Sequence, residues 1–470
     1  MSNISYATLN MTRRVKLVYA KRMSIVAAII GLLLLRGAAA VPAWTIDIAS
    51  DITVHMNNIA SVPFIISSNV PAELRLTLVP SSNNNVAKTS IHILAQNETS
   101  FNGILNVTGV FLGTTKLTFA LIENENIKYS KDVSTITVIR EERTIDTIFT
   151  ISVAVLVSIL YINFGCAMDW DICRNTLKKP IGPAIGFVCQ FVIMPLLSFV
   201  IGYILFPGQP ELQIGMFFTG ISPSGGASNI WTVLLDGNLN LSVTMTTLCT
   251  IAAFGMMPFW IFTLGRYIFA QGNLTVPYRQ IGTFVIGLVI PLAVGFFIQK
   301  KLPRISKILI RIMKPFSVVL ILFIIIFAIL TNLYLFQLFS LRIIIAGMGL
   351  PWLGFLFGFI IAKLCKQHQA DIRAIAIETG IQNTGVAIFL LRFTLQPPAA
   401  DLTTVIPVSY AIMTPIPLII LYLIKLAHQY RQRKKAKNVS NFNPSLKDQA
   451  IITPNTMQPN MSNMLIDHTE

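Results

Sequence analysis

Charge is what this 470-residue chain has least of: only 12% of its residues are Asp, Glu, Lys or Arg, about half the share of an ordinary soluble domain. Histidine is nearly as scarce, with five residues scattered at positions 55, 92, 368, 428 and 468. None of them stands in a nucleophile–base constellation, so the chain does not read as an enzyme. The five cysteines, Cys166, Cys173, Cys189, Cys249 and Cys365, all lie after residue 165. The first third therefore has no disulfide framework, and no pair has metal-ligand spacing. They read as small buried apolar residues. The formal charge of +16 does not come from one soluble basic face. It comes from short links and a tail, which argues against nucleic acid as a partner.

What is present is apolar sequence, 54% of the chain, unevenly spread. Residues 1–145 are mixed and residues 146–427 are apolar runs joined by short polar links. Arg13, Arg14, Lys16, Lys21 and Arg22 precede the run Met23–Leu35, and Ala38-Ala39-Ala40 follows. Basic, apolar and small residues in that order make a signal peptide over 1–43, with an uncleaved anchor as the alternative. Residues 44–140 alternate apolar and polar positions in short runs, as in Thr45–Val54 and Leu74–Val79. Period-2 runs with Asn, Ser and Gly punctuation predict a small β-sandwich. Sequons at Asn97 and Asn106 make both candidate glycosylation sites and put this part outside the cytoplasm.

Nine apolar segments follow, at about 146–167, 182–206, 212–235, 241–265, 278–299, 315–337, 343–363, 373–394 and 402–426, each long enough to span a bilayer. Eighteen lysines and arginines fall in one alternate set of links and the tail, against three (Arg266, Arg279 and Arg342) in the opposite links. The positive-inside rule then predicts an extracellular N-terminus and a cytoplasmic C-terminus in the plasma membrane. Residues 428–470 read as a disordered tail.

Polar residues at membrane depth are costly and tend to mark pathways. The third segment holds Ser222-Pro223-Ser224-Gly225-Gly226-Ala227-Ser228-Asn229. Proline removes a backbone donor and paired glycines loosen the helix, so the segment breaks, either as a packing kink or as an unwound binding segment. The eighth holds Glu378-Thr379-Gly380-Ile381-Gln382-Asn383-Thr384-Gly385. A carboxylate there costs about 2.5–3.5 kcal/mol unless it snorkels to the surface. Ser242 and Thr246 share a face of the fourth segment, and Gln190 lies in the second. Carboxylate, hydroxyls, amides and freed carbonyls form a hard-oxygen set that suits Na⁺ better than a transition metal. Interrupted segments in both halves point to a secondary-transporter site near the midplane.

At these residues the sequence resembles the sodium–bile acid cotransporter family, over about 146–427. The likeness is strongest in Ser222–Pro258, including Leu241–Thr247, and in Glu378–Asn383. The resemblance implies an all-α polytopic, inverted-repeat carrier with two crossing broken helices. A core of segments two to four and seven to nine would work against a panel of one, five and six. It implies a first Na⁺ site at Ser228, Asn229, Ser242, Thr246 and Glu378. A second would use Gln190, Glu378 and Gln382 with carbonyls near Thr379 and Ile381. Gly226 and Asn383 would face the cargo, an amphipathic organic anion such as a bile acid or steroid sulfate. Na⁺ is the coupling ion and no organic cofactor is implied. The turn departs from the family's Pro-Gly-Gly, reading Pro223-Ser224-Gly225-Gly226. Arg392, a candidate for holding the anion, reads better as a cap on the outer end of segment eight. In the rival reading the ectodomain acts as a receptor and the membrane part only anchors it. An anchor needs neither Glu378 nor two broken helices.

Overall fold

The computed structural model describes residues 44–68, 73–79, 86–97, 99–123, 126–129, 134–141, 144–272, 274, 276–312 and 340–442. The expected signal peptide, the sixth apolar segment and the tail beyond residue 442 lie outside the described residues. Two compact units divide the chain, one within residues 1–137 and one chiefly from Val138 onward.

The first unit is built of strands β1 (Trp44–Asp47), β2 (Asp51–His55), β3 (Ile59–Ser68), β4 (Glu73–Val79), β5 (Ala87–Asn97), β6 (Ser100–Gly109), β7 (Gly113–Glu123), β8 (Asn126–Tyr129) and β9 (Ser134–Ile139). They form two sheets, β1-β3-β6-β5 and β2-β9-β7-β4, with β8 beside β7. Alternation along β6 turns Phe101, Leu105 and Val107 inward. Phe64 of one sheet meets Phe119 of the other with ring centroids 5.6 Å apart, so the two sheets share one core. Asn97 is exposed at the end of β5. Asn106 is half-buried in β6 and accepts a hydrogen bond from Ser61 Oγ at 2.8 Å.

The second unit is helical: α1 (Thr144–Ala167), α2 (Trp170–Leu177), α3 (Ile181–Leu205), α4 (Pro210–Ile221), α5 (Ala227–Leu234), α6 (Leu239–Gln271), α7 (Tyr278–Lys301), α8 (Leu341–Leu364), α9 (Gln369–Gly380), α10 (Thr384–Thr394), α11 (Ala399–Thr403), α12 (Val405–Met413) and α13 (Pro415–Phe442). By length and composition α3, α6, α7, α8 and the run Ala399–Gln432 can each cross a bilayer. The pair α1 and α2, bent by 67°, makes a sixth. The remaining apolar helices, α4/α5 and α9/α10, are halves of the two segments in which the sequence predicts a break. Eight of the nine apolar segments thus fall on helices that begin within a few residues of their expected starts, while α6 and α13 run past their expected ends. One expectation fails: the chain does not lose structure at residue 428, because α13 runs on to Phe442. Its glutamines, lysines and arginines are good helix formers, so the helix outlasts its apolar stretch.

Local chemistry sets the bends. Asp169 caps α2 by accepting from the N–H groups of Asp171 and Ile172 at 3.0 and 2.9 Å. The Gln299 amide of α7 donates to the carbonyls of Cys166 and Met168 where α1 ends, at 3.1 and 2.6 Å. In α3 a π-turn over Cys189–Ile193 precedes Pro195. Proline cannot donate to the carbonyl four residues back, that of Phe191. The indole N–H of Trp260 in α6 donates to it instead, at 2.8 Å. In the last turn of α10, Arg392 pairs with Asp401 at 3.0 Å, and Arg140, just ahead of α1, lies 3.7 Å from the same carboxylate oxygen.

α1 and α7 touch backbone to backbone. A methyl group on Gly165 would strike the Leu292 carbonyl, and one on Gly295 would strike that of Ile162. Small residues let membrane helices approach this closely. Gly165→Val should therefore force the pair apart at a cost of about 3 kcal/mol or more. Its measure is the thermal-unfolding midpoint of the detergent-purified chain, and an unchanged midpoint would contradict the contact.

Candidate functional site

The two broken segments cross at their breaks. Ser224 and Gln382 form an isolated antiparallel bridge. The Gly225 N–H donates to the Ile381 carbonyl at 2.8 Å, and the Asn383 N–H donates to that of Pro223 at 2.8 Å. Backbone groups freed by Pro223 and the glycines are thereby satisfied without water. The approach requires glycine at 225, where an added methyl would lie 2.9 Å from the Gln382 carbonyl oxygen.

Glu378 ends up buried beside this crossing, 1% exposed, rather than snorkelling to a surface. Its Oε1 accepts from Thr246 Oγ1 at 2.6 Å and Ser224 Oγ at 2.7 Å, and its Oε2 accepts from Ser242 Oγ at 2.8 Å. All three partners are neutral hydroxyls. Ser242 in turn accepts from Thr232 Oγ1 at 3.2 Å, and Thr246 accepts from Asn229 Nδ2 at 3.3 Å. Each hydroxyl has one proton to give, so Ser242 and Thr246 spend theirs on the carboxylate. Ser228 Oγ and Asn229 Oδ1 are buried with no hydrogen-bond partner. Unsatisfied buried oxygens are costly, and here two of them stand on the helix that carries the hydroxyl network's Thr232.

On the other side of the crossing, two amides pair. Gln190 Nε2 donates to Gln382 Oε1 and to the Ser222 carbonyl, both at 2.7 Å. Gln382 Nε2 returns a bond to Gln190 Oε1 at 3.2 Å and reaches the Thr379 carbonyl at 3.1 Å. The π-turn in α3 is what turns Gln190 to this face. Asn383 caps α10 by accepting from the Val386 N–H at 3.2 Å. Asn383 and Gly226 both line a cavity of about 250 Å³, together with Leu160, Trp231 and Tyr410. Arg392 is not among its lining residues; it is engaged with Asp401.

Every expected ion-site side chain is thus gathered around the crossing. Three further residues join them: Ser224, Thr232 and Tyr410, whose Oη donates to the Gly380 carbonyl at 2.7 Å. Ser224 stood in a motif already singled out. Thr232 and Tyr410 are single polar residues in apolar runs, and only the packing gives them partners. The donors are oxygens throughout, a set that suits a hard cation rather than a soft one. Among the described residues no cluster of three or more His, Cys, Asp or Glu exists to hold a transition metal.

Comparison with known proteins identifies the family. A model of the Sodium Bile acid symporter family matches residues 154–337. The chain is 32% identical over 260 residues to the ileal sodium/bile acid cotransporter of Cricetulus griseus, covering 55% of this chain and 74% of that one. The chain belongs to the sodium bile acid symporter family. This symporter relative is also 30% identical over 295 residues to the sodium-dependent organic anion transporter of Homo sapiens, covering 63% and 77% of the two chains. It is 31% identical over 260 residues to the P3 protein of Homo sapiens, covering 55% and 54%. The family is one of multi-pass membrane transporters, not enzymes.

The amide pair ties α3 to both broken segments. Gln190→Leu would leave the Ser222 carbonyl and Gln382 short of partners, a loss of about 1–3 kcal/mol. A lowered unfolding midpoint in sodium-free buffer is the expected result, and an unchanged one would make the pair incidental.

Proposed function

We propose that this chain is a sodium-coupled symporter of amphipathic organic anions, of the bile acid or steroid sulfate kind, working by alternating access. The observation that carries the reading is Glu378, a buried carboxylate whose partners are three hydroxyls, beside the unpartnered oxygens of Ser228 and Asn229. A cation entering there gains a full charge and further buried oxygens beside it. One Na⁺ would be held by Ser228, Asn229, Ser242, Thr246 and Glu378. A second would be held by Gln190, Glu378 and Gln382, with the Thr379 and Ile381 carbonyls.

The cargo would sit in the adjoining cavity. Both α5 and α10 begin on its wall, at Gly226-Ala227 and Asn383-Thr384. Helix N-termini carry partial positive charge and unpaired N–H groups, which suit an anion without a basic side chain. Leu160, Trp231 and Pro415 offer apolar surface to a hydrocarbon frame. Nine spans in an inverted repeat, with α4/α5 and α9/α10 as corresponding broken elements, fit this scheme. With the N-terminal domain outside and the tail in the cytoplasm of a plasma-membrane protein, α5 runs inward. The cavity beside Trp231 then opens toward the cytoplasm. Val153 and Val157 of α1, packed in one apolar cluster with Leu390 and Leu391 of α10, close the opposite side. Alternating access would move that closure from one side to the other. If two Na⁺ accompany one monovalent anion, the membrane potential contributes about 2.3 kcal/mol per 100 mV to each cycle.

Uptake of labelled taurocholate and steroid sulfates into transfected cells tests the reading. Flux should fall to background when choline replaces sodium, and Glu378→Ala should abolish the sodium-dependent part at equal surface expression. A surface-expressed protein with no sodium-dependent flux or current across a broad anion panel would return the function to the ectodomain.

A further inference from the structure

We propose that Ser224 is itself a sodium ligand, supplying an oxygen to the second ion position that the family's glycine turn does not provide. The proposal rests on the reading of the crossing as a sodium site.

Ser224 is fully buried in the break of the third segment. Three acceptor oxygens surround its Oγ: Glu378 Oε1 at 2.7 Å, the Glu378 carbonyl at 3.2 Å and the Ile381 carbonyl at 3.4 Å. A serine hydroxyl has one proton. The short, charge-assisted contact to Oε1 takes it. The other two approaches are longer than a good O–H···O bond and have no proton between them. They are oxygen facing oxygen, which a shared cation relieves.

The spacing fits such a cation. Calcium, whose ionic radius sodium nearly matches, keeps its oxygens about 2.4 Å away, so neighbouring ligands at right angles stand about 3.4 Å apart. Ser224 Oγ stands at about that distance from each of the two carbonyl oxygens, 3.2 and 3.4 Å. The two carbonyls close the C-terminal end of α9, where the helix dipole is negative. The serine cannot drift away, because its backbone is bridged to Gln382 and the next N–H is bonded to the Ile381 carbonyl at 2.8 Å. Glu378 Oε1 thus touches Thr246, which belongs to the first position, and Ser224, which belongs to the second. One carboxylate oxygen would join both ions.

The test uses the full chain, purified in nanodiscs, and Na⁺ alone as the probe. Thermal unfolding is followed against sodium concentration, with choline chloride holding ionic strength constant. Wild-type protein should be stabilised as sodium rises, and Glu378→Gln should be flat. Ser224→Ala and Ser224→Cys should each raise the half-maximal sodium concentration about fivefold or more, the size of one lost ligand bond. Cysteine keeps a weak donor but offers a soft sulfur; because both variants lose the strong bond to Glu378, the sodium-free midpoint is recorded separately for each and the proposal is read only from the shift in half-maximal sodium. Half-maximal sodium within about twofold of wild type in both variants, with the midpoint lowered equally at all sodium concentrations, would make Ser224 a mere hydrogen-bond donor and overturn the proposal. A wild-type protein that sodium does not stabilise at all would instead bring down the sodium reading of the crossing.

Discussion

The carrier unit depends on a single strand-like crossing. Two helices that stop halfway through a membrane each leave several backbone groups without partners, and lipid offers none. The Ser224–Gln382 bridge, with the reciprocal bonds at Gly225 and Asn383, satisfies those groups at the one place where the two breaks meet. Everything polar nearby follows from it. Glu378 is drawn to the end of α9 facing α5 and α6, and the hydroxyls of Ser242 and Thr246 come within reach of its two oxygens. The two amides close the other flank. A carboxylate held by neutral donors can be sound without a cation and still offer one a place, because each hydroxyl O–H donates to the carboxylate while its oxygen keeps lone pairs for something else.

Much of this was legible in the sequence because the signals are local. Pro223 and the glycines around it mark one break, and Gly380 and Gly385 bracket the other. Ser242 and Thr246 four apart declare a shared face. Apolar runs give the helices, and the basic links argue a direction. The rest depended on distance relationships that a single chain does not write down. Ser224 was visible as a change in the turn, but its role needed Glu378 and Ile381 to arrive from more than 150 residues away. Tyr410 meets Gly380 only because α12 packs beside the crossing. The strand order β1-β3-β6-β5 is likewise non-local, whereas the alternation within β6 is local and was readable. At residue 428 composition misled: polar sequence was taken for unstructured sequence, although its residues favour the helix they continue.

Among the described residues, buried charge is handled in two different ways, at Asp401 and at Glu378. At Asp401 the carboxylate meets guanidinium groups, from Arg392 at 3.0 Å and Arg140 at 3.7 Å. Such a pair fixes geometry and resists exchange. At Glu378 the protein supplies hydroxyls only. A resident cation would have filled the space permanently. Neutral donors leave room for a mobile one, so the contrast is between a carboxylate paired with charge and one held by hydroxyls alone.

The π-turn in α3 has a consequence for how the chain can change over time. A π-turn is one residue longer than the α-turn it replaces, so everything before it is rotated by about 100° relative to an uninterrupted helix. Deleting any one residue from Cys189–Ile193 would leave a well-formed, equally apolar helix, yet carry Gln190 off the crossing and Phe191 away from Trp260. Reading-frame-neutral loss of a single codon would be more damaging here than most substitutions, because the contacts of Gln190 and of the Phe191 carbonyl with Trp260 depend on that one turn.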